Sequence, residues 1–294
     1  MTIKKREKDN IVKFNIDGSR KQSGIGLALG SGAVRGAAHV GIITELLNAG
    51  IEIHEMSGSS IGAVISCIYG AGLGPSEMKE AALEFKRSVV FDYRFPFLSF
   101  CKGDGFKKFL SDLFIKRIGI TRLEQLKTKV FVVCADIING RPIIFSTGGI
   151  VDILAASCAV PMLFPPRDIG GTLCVDGGVL LPVPSSILRG RKNDMVVGVN
   201  LGFGNLRKGF GDIFRYAGQT IVTLGRELLK LQKGREDLLI EPDFGDIGYW
   251  QFEKIEDIIN IGRTAAKNAV PEILKHYAGR HFKQETKSHF GENY

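Results

Sequence analysis

A short apolar-alternating stretch, Ile51-Glu52-Ile53-His54, is followed closely by a run of small apolar side chains from Ile61 to Tyr69. The first reads as a strand and the second as a buried helix. The join between them is Ser57-Gly58-Ser59-Ser60-Ile61-Gly62, and it constrains the chain more than any other stretch. A strand that passes straight into a helix needs a turn so tight that the residues flanking its apex must be small. Gly58 and Gly62 meet that need and leave Ser60 at the apex. G-x-S-x-G between a strand and a helix is the nucleophile-elbow arrangement. The serine Oγ stands exposed on the turn, and the helix N-terminus offers N–H groups and a positive dipole end to a developing negative charge. Ser60 is therefore the candidate nucleophile. The same residues also describe a glycine-rich turn with a capping serine; the strand before and the helix after favour the nucleophile.

Upstream, Gly24 to Leu29 reads as the first strand and ends in Gly30-Ser31-Gly32-Ala33-Val34-Arg35-Gly36. A helix over Ala37–Asn48 follows and stops at Gly50, a residue suited to a helix C-terminus. A glycine-rich loop between a strand and a helix holds anions on its backbone N–H groups. The dinucleotide fingerprint G-x-G-x-x-G fits Gly30 and Gly32 but meets Arg35 at its third glycine, with Gly36 one place late. No acidic residue ends a clear second strand to hold a ribose. The competing reading is an oxyanion hole facing Ser60 from the neighbouring strand.

The rest of the chain alternates. Helices are expected over Pro75–Arg87, Asp104–Arg117, Thr121–Leu126, Gly149–Val160, Ile213–Gln232 and Lys254–Lys275. Strands are expected over Val130–Ala135, Pro142–Phe145 after an Asn139-Gly140 turn, Thr172–Val175, Met195–Asn200 and Leu238–Glu241. The aromatic stretch Val89–Phe100 reads as core or cap packing, with an acyl-chain pocket or lid as the alternative. Such alternation implies an α/β fold with a mostly parallel sheet and helices on both faces. One domain over 24–278 is expected, with a basic, flexible arm over 1–23 and a polar tail over 279–294.

A serine needs a base. Histidines stand at His39, His54, His276, His281 and His289. The order Ser…Asp…His of the α/β-hydrolases is formally present, but only two strands precede Ser60 and the late histidines lie at a helix end and in the tail. A carboxylate is the other option. Asp176 ends a strand and is followed by Gly177 and Gly178. Asp136 also ends a strand but precedes a turn. A buried aspartate would have its pKa raised toward that of a useful base. The five cysteines are spread through apolar runs with no C-x-x-C pair, so free thiols are expected and neither a disulfide framework nor a metal site. Residues 1–23 lack a signal-peptide core, and the best apolar run, Ile61 to Leu73, is too short and glycine-broken to span a bilayer. A cytoplasmic protein is expected, at most peripheral to a membrane. Its net charge of +8 favours anionic surfaces; no nucleic-acid motif accompanies that charge.

These motifs together resemble the patatin-like phospholipase family. Ser31-Gly32-Ala33-Val34-Arg35-Gly36 is similar to its G-G-G-x-R-G oxyanion loop, Gly58-Ser59-Ser60-Ile61-Gly62 to its elbow, and Asp176-Gly177-Gly178 to its D-G-G/A motif. Ala156 to Pro161, Phe164-Pro165-Pro166, Val183-Pro184 and Pro242 to Gly248 also resemble family segments. The resemblance implies a three-layer α/β/α fold and a serine acyl hydrolase acting on phospholipids or other acyl lipids, without metal or cofactor. Ser60 and Asp176 would form its dyad, and the N–H groups of Gly32 and Ala33, joined by Ile61, its oxyanion hole. Gly30, Ser31, Arg35, Gly36, Gly58, Gly62, Gly177 and Gly178 would support them. Ser31 and Ala33 stand where the family has glycine, and the Ala33 Cβ restricts the backbone. A non-catalytic lipid-binding protein of the same fold and a histidine-dependent esterase remain the alternatives.

Overall fold

The computed structural model describes residues 24–90, 92, 99, 101–202, 213–232 and 234–289. The basic arm, most of the aromatic stretch before Phe100 and the last five residues lie outside them. The chain opens with β1 (Ile25–Leu29), whose five residues are all buried. The glycine loop and a short 3₁₀ turn lead into α1 (Ala37–Asn48). Gly50, at φ 73°, ends α1: its N–H donates to Leu47 O and that of Ile51 to Leu46 O, a Schellman closure of the last turn. Then come β2 (Ile53–Ser59), α2 (Ile61–Gly70), α3 (Pro75–Glu84), α4 (Arg87–Val90) and α5 (Asp104–Leu110). β2 runs on to Ser59, past the strand expected at 51–54, so no loop separates it from α2. The helix expected over Asp104–Arg117 winds as an α-helix only to Leu110 and continues as wider π-helical turns over Ser111–Ile118.

The second half supplies β3 (Lys129–Asp136), β4 (Arg141–Phe145), α6 (Ile150–Ser157), β5 (Arg167–Ile169), β6 (Thr172–Asp176), β7 (Val196–Val199), α7 (Ile213–Gln232), β8 (Leu238–Ile240) and α8 (Ile255–His289). α8 extends past the expected end at Lys275 and into the stretch read as tail. The sheet order is β5-β6-β3-β2-β1-β7-β8, with β4 paired to β3. β1, β2, β3, β7 and β8 are mutually parallel; β4 and β6 run antiparallel to β3, and β5, antiparallel to β6, points the same way as the parallel strands. The sheet is therefore mixed. Ile25, Leu27 and Leu29 of β1 face the larger core, built with α1, α2 and α8; Ala28 faces a smaller one that includes Phe131, Val196 and Leu229 of α7. Helices thus flank the sheet in an α/β/α arrangement.

One register positions the site. β4 occupies one edge of β3 over Val132–Asp136. The other edge is shared end to end: β2 pairs along it as far as Ser59 opposite Val133, and β6 takes over with Asp176 opposite Cys134. Two strands running in opposite directions thus deliver Ser60 and Asp176 to the same point.

Candidate active site

Ser60 sits at φ 56° and ψ −130°, a positive φ that a residue with a side chain adopts only under constraint from its surroundings. Both flanking glycines supply that constraint. A Cβ at Gly58 would lie 2.5 Å from the backbone of Ala63, and one at Gly62 would lie 2.2 Å from the Leu29 carbonyl oxygen. Ser157, at the end of α6, fixes the apex: its Oγ donates to Val133 O at 2.6 Å and accepts the Ser60 N–H at 3.1 Å. Ser57 and Ser59, alternate residues of β2, donate to Pro184 O (2.9 Å) and Leu181 O (2.6 Å). They tie down the segment that follows Asp176.

Asp176 is buried, and that burial raises its pKa to about 6. A hydrogen bond from the Ser60 side chain and another from the Gly178 N–H to Oδ1 (2.7 Å) pull it back toward the ordinary range. The Asp176 N–H donates to Ala159 O at 3.0 Å, holding the end of β6 in place. The buried Cys158 thiol also lies against Ser60, and burial pushes its pKa well up. The rival carboxylate has a different task. Asp136 accepts from the N–H groups of Ile138 and Asn139, from the Asn139 side-chain amide and from Arg141, which hold it below its ordinary pKa as a turn residue.

The glycine loop lies beside this pair. Its Gly30 and Ser31 N–H groups donate to Val199 O and Pro182 O, and Arg35 N–H donates back to Gly32 O. The N–H groups of Gly32 and Ala33 have no acceptor among the described residues. Ala33 adopts φ 48°, the left-handed region a glycine takes without cost. Gly36 packs so closely on Ile61 that a Cβ there would lie 2.3 Å from Cγ1, which brings loop and elbow together. Gly177 and Gly178 are equally confined: a Cβ at Gly177 would meet Val133 O at 2.3 Å and one at Gly178 the Ser31 Oγ at 2.2 Å.

Arg35 braces the loop from behind. Its buried guanidinium lies over the rings of Phe244 (4.8 Å) and Tyr249 (4.6 Å) and donates to Ile247 O and Leu201 O. Burial lowers its pKa. His39 supports the loop from below. Fully buried, with its pKa pushed down to about 4 by that burial, it is neutral and donates Nε2–H to Gly30 O at 2.9 Å. His54 is exposed near the start of β2, and His276 contacts Asp194 O. Neither meets Ser60. The side chains of His281 and His289 are not among those described.

Comparison with known proteins bears directly on this arrangement. The family model for patatin-like phospholipases matches residues 27–188, which contain the glycine loop, the elbow and Asp176. The chain belongs to the patatin-like phospholipase family. An NTE family protein of Mycobacterium tuberculosis is 29% identical over 286 residues, covering 85% of this chain and 48% of its own length. Lysophospholipase NTE1 of the yeast Lodderomyces elongisporus is 29% identical over 205 residues, 65% of this chain and 14% of that one. The chain thus spans about half of the mycobacterial relative and a small part of the yeast one. Among solved structures, VipD from Legionella pneumophila shares the fold at a TM-score of 0.61 with 15% identity, over 85% of this chain and 67% of that one. Within this patatin-like fold, Ser157 and His39 are positioning side chains that the sequence reading assigned no task at Ser60 or the glycine loop. Each is a fully buried polar residue with apolar neighbours on either side in its helix, and that is the signal by which they could have been found.

The strained Ala33 gives a direct prediction. Ala33→Gly removes a left-handed alanine, worth about 1–2 kcal/mol, but loosens the unfolded chain by roughly 0.5–1 kcal/mol. A net stabilisation of up to about 1.5 kcal/mol is expected in urea denaturation. A destabilised variant would show that the packing of the alanine methyl outweighs the backbone strain.

Proposed function

We propose that the chain is a serine lipid acyl hydrolase working through a Ser60–Asp176 dyad. The observation that carries this reading is the Ser60 hydroxyl held against a buried carboxylate whose pKa is raised to about 6, so that it is ionised yet basic at neutral pH. Ser60 Oγ attacks the ester carbonyl as its proton passes to Asp176. The oxyanion that forms is received by the N–H groups of Gly32 and Ala33, with Ile61 at the α2 N-terminus beside them. Collapse expels the alcohol, which takes the proton back from Asp176. Water then gives a proton to the same carboxylate and attacks the acyl-serine, and the fatty acid leaves as Ser60 recovers its hydrogen. Membership of a phospholipase family supports an acyl lipid as substrate. Peripheral contact with an anionic lipid surface through the basic arm belongs to the same proposal.

The histidine-dependent alternative is disfavoured because His39, the histidine beside the glycine loop, is committed to Gly30 O. The non-catalytic alternative draws on Ala33. The test is labelling with a fluorophosphonate, read by intact mass and peptide mapping. A single adduct on Ser60, absent from Ser60→Ala, is expected. A well-folded wild-type protein that takes no label would reject the hydrolase and leave a lipid-binding role.

A further inference from the structure

We infer that the substrate's acyl chain lies in the apolar cleft between α2, α3 and α5, and that this cleft selects chains of medium length. The inference rests on the hydrolase reading above. The cleft is a shallow groove whose empty space of about 400 Å³ includes open solvent, so a chain would lie along it and not be enclosed by it. Its lining includes Ala33 and Ile61, which are the loop and elbow residues on either side of the proposed oxyanion position. A chain whose carbonyl carbon faces Ser60 therefore has an opening immediately beside it.

The walls suit an alkyl chain and nothing else. Ile61, Val64, Ile65 and Ile68 form one stripe of α2, spaced so that they share a single helix face. Opposite them, Ala81 and Ala82 of α3 present only methyl groups, and this is what leaves the space. Phe85, Phe106 and Phe109 close a third side, with the Phe85 ring 6.0 Å and 5.8 Å from the other two. Among the described residues no polar side chain lines the cleft, so none of them offers a head group a hydrogen-bond partner there.

The length of the stripe sets the limit. From Ile61 to Ile68 the axis of α2 advances about 10 Å. An extended alkyl chain advances about 1.25 Å per bond, given its bond length near 1.5 Å, so about eight carbons span the stripe. Beyond Ile68 the stripe stops, because α2 ends at Gly70.

The test is a series of p-nitrophenyl esters from acetate to palmitate. For the wild type, kcat/KM is expected to climb by up to about fourfold per methylene as far as octanoate or decanoate, and then to level or fall. Ala82→Leu, which fills the cleft, is expected to lower kcat/KM for octanoate at least about tenfold while leaving acetate within about twofold. Phe109→Ala, which opens it, is expected to move the optimum to longer chains. Equal changes across the series in both variants would overturn the assignment. If the wild type hydrolyses no ester, the hydrolase reading has failed and the cleft is judged by calorimetry of decanoate binding to Ser60→Ala. Binding weakened about tenfold by adding Ala82→Leu would support the cleft; unchanged binding, or none at all to Ser60→Ala, would overturn it.

Discussion

Asp176→Asn is expected to lower kcat/KM for a soluble ester by roughly a thousandfold, within the range contributed by a positioned general base. The amide keeps the shape of the carboxylate and can still accept the Gly178 N–H, so the loss reports the missing base and not a displaced loop. Two pH readouts accompany it. The wild-type kcat/KM should rise with pH and level off above about 6, where the Asp176 carboxylate is ionised; the variant's residual rate should lack that limb. Stability should move the other way. A carboxyl whose pKa is higher folded than unfolded favours the folded state while protonated, and this advantage is lost as pH rises from the unfolded pKa near 3.8 through about 6. A gap of about two pH units corresponds to roughly 3 kcal/mol. Asp176→Asn, which has no charge to bury, should therefore gain stability relative to wild type as pH rises from 4 to 8, as followed by chemical denaturation. An active asparagine variant with the limb near pH 6 intact would place the base elsewhere.

Gly62→Ala should damage both fold and activity. An added Cβ would lie 2.2 Å from Leu29 O and 2.7 Å from Gly30 O. Both are backbone atoms at the end of the central strand, and neither can swing aside as a flexible side chain would. The start of α2 must retreat from the glycine loop, carrying Ser60 away from the N–H groups of Gly32 and Ala33. A destabilisation of about 3 kcal/mol is expected from the overpacking, with about a hundredfold loss of kcat/KM from misplacement of the nucleophile. Gly50→Ala is the control. Gly50 has a positive φ but nothing within 4 Å of an added Cβ, so its alanine variant should lose about 1 kcal/mol and keep its activity. Equal activity losses in the two variants would mean that general destabilisation, and not the geometry at the elbow, is responsible.

The elbow was legible in the sequence because its demands are local. A strand running directly into a helix needs glycines on either side of the apex, and those glycines stand next to it in the chain. The Schellman closure at Gly50 and the Asn139-Gly140 hairpin turn were legible for the same reason. Asp176 was visible as the end of a strand, but not the direction from which that strand arrives. The pairing of β6 with β3 is a tertiary register, and β5, only Arg167–Ile169, is too short to show any alternation. Arg35 illustrates the same limit. Its place in a glycine loop suggests an anion, yet its partners lie at Leu201 and in the Phe244–Tyr249 segment, far away in the chain. Ser157 carries no motif that states its task, because that task is defined by the Ser60 N–H on one side and the Val133 carbonyl on the other.

The end-to-end meeting of β2 and β6 on a single edge of β3 has a consequence for how the protein is made. The glycine loop and the elbow belong to the early part of the chain, although residues from its second half brace both. The carboxylate arrives only with the second half of the chain, on a strand held to β3 by short antiparallel pairing. On the proposed chemistry, a nascent or truncated chain displays its serine without a base to activate it. On that chemistry, hydrolysis requires a chain long enough to include β6 and to pair it with β3.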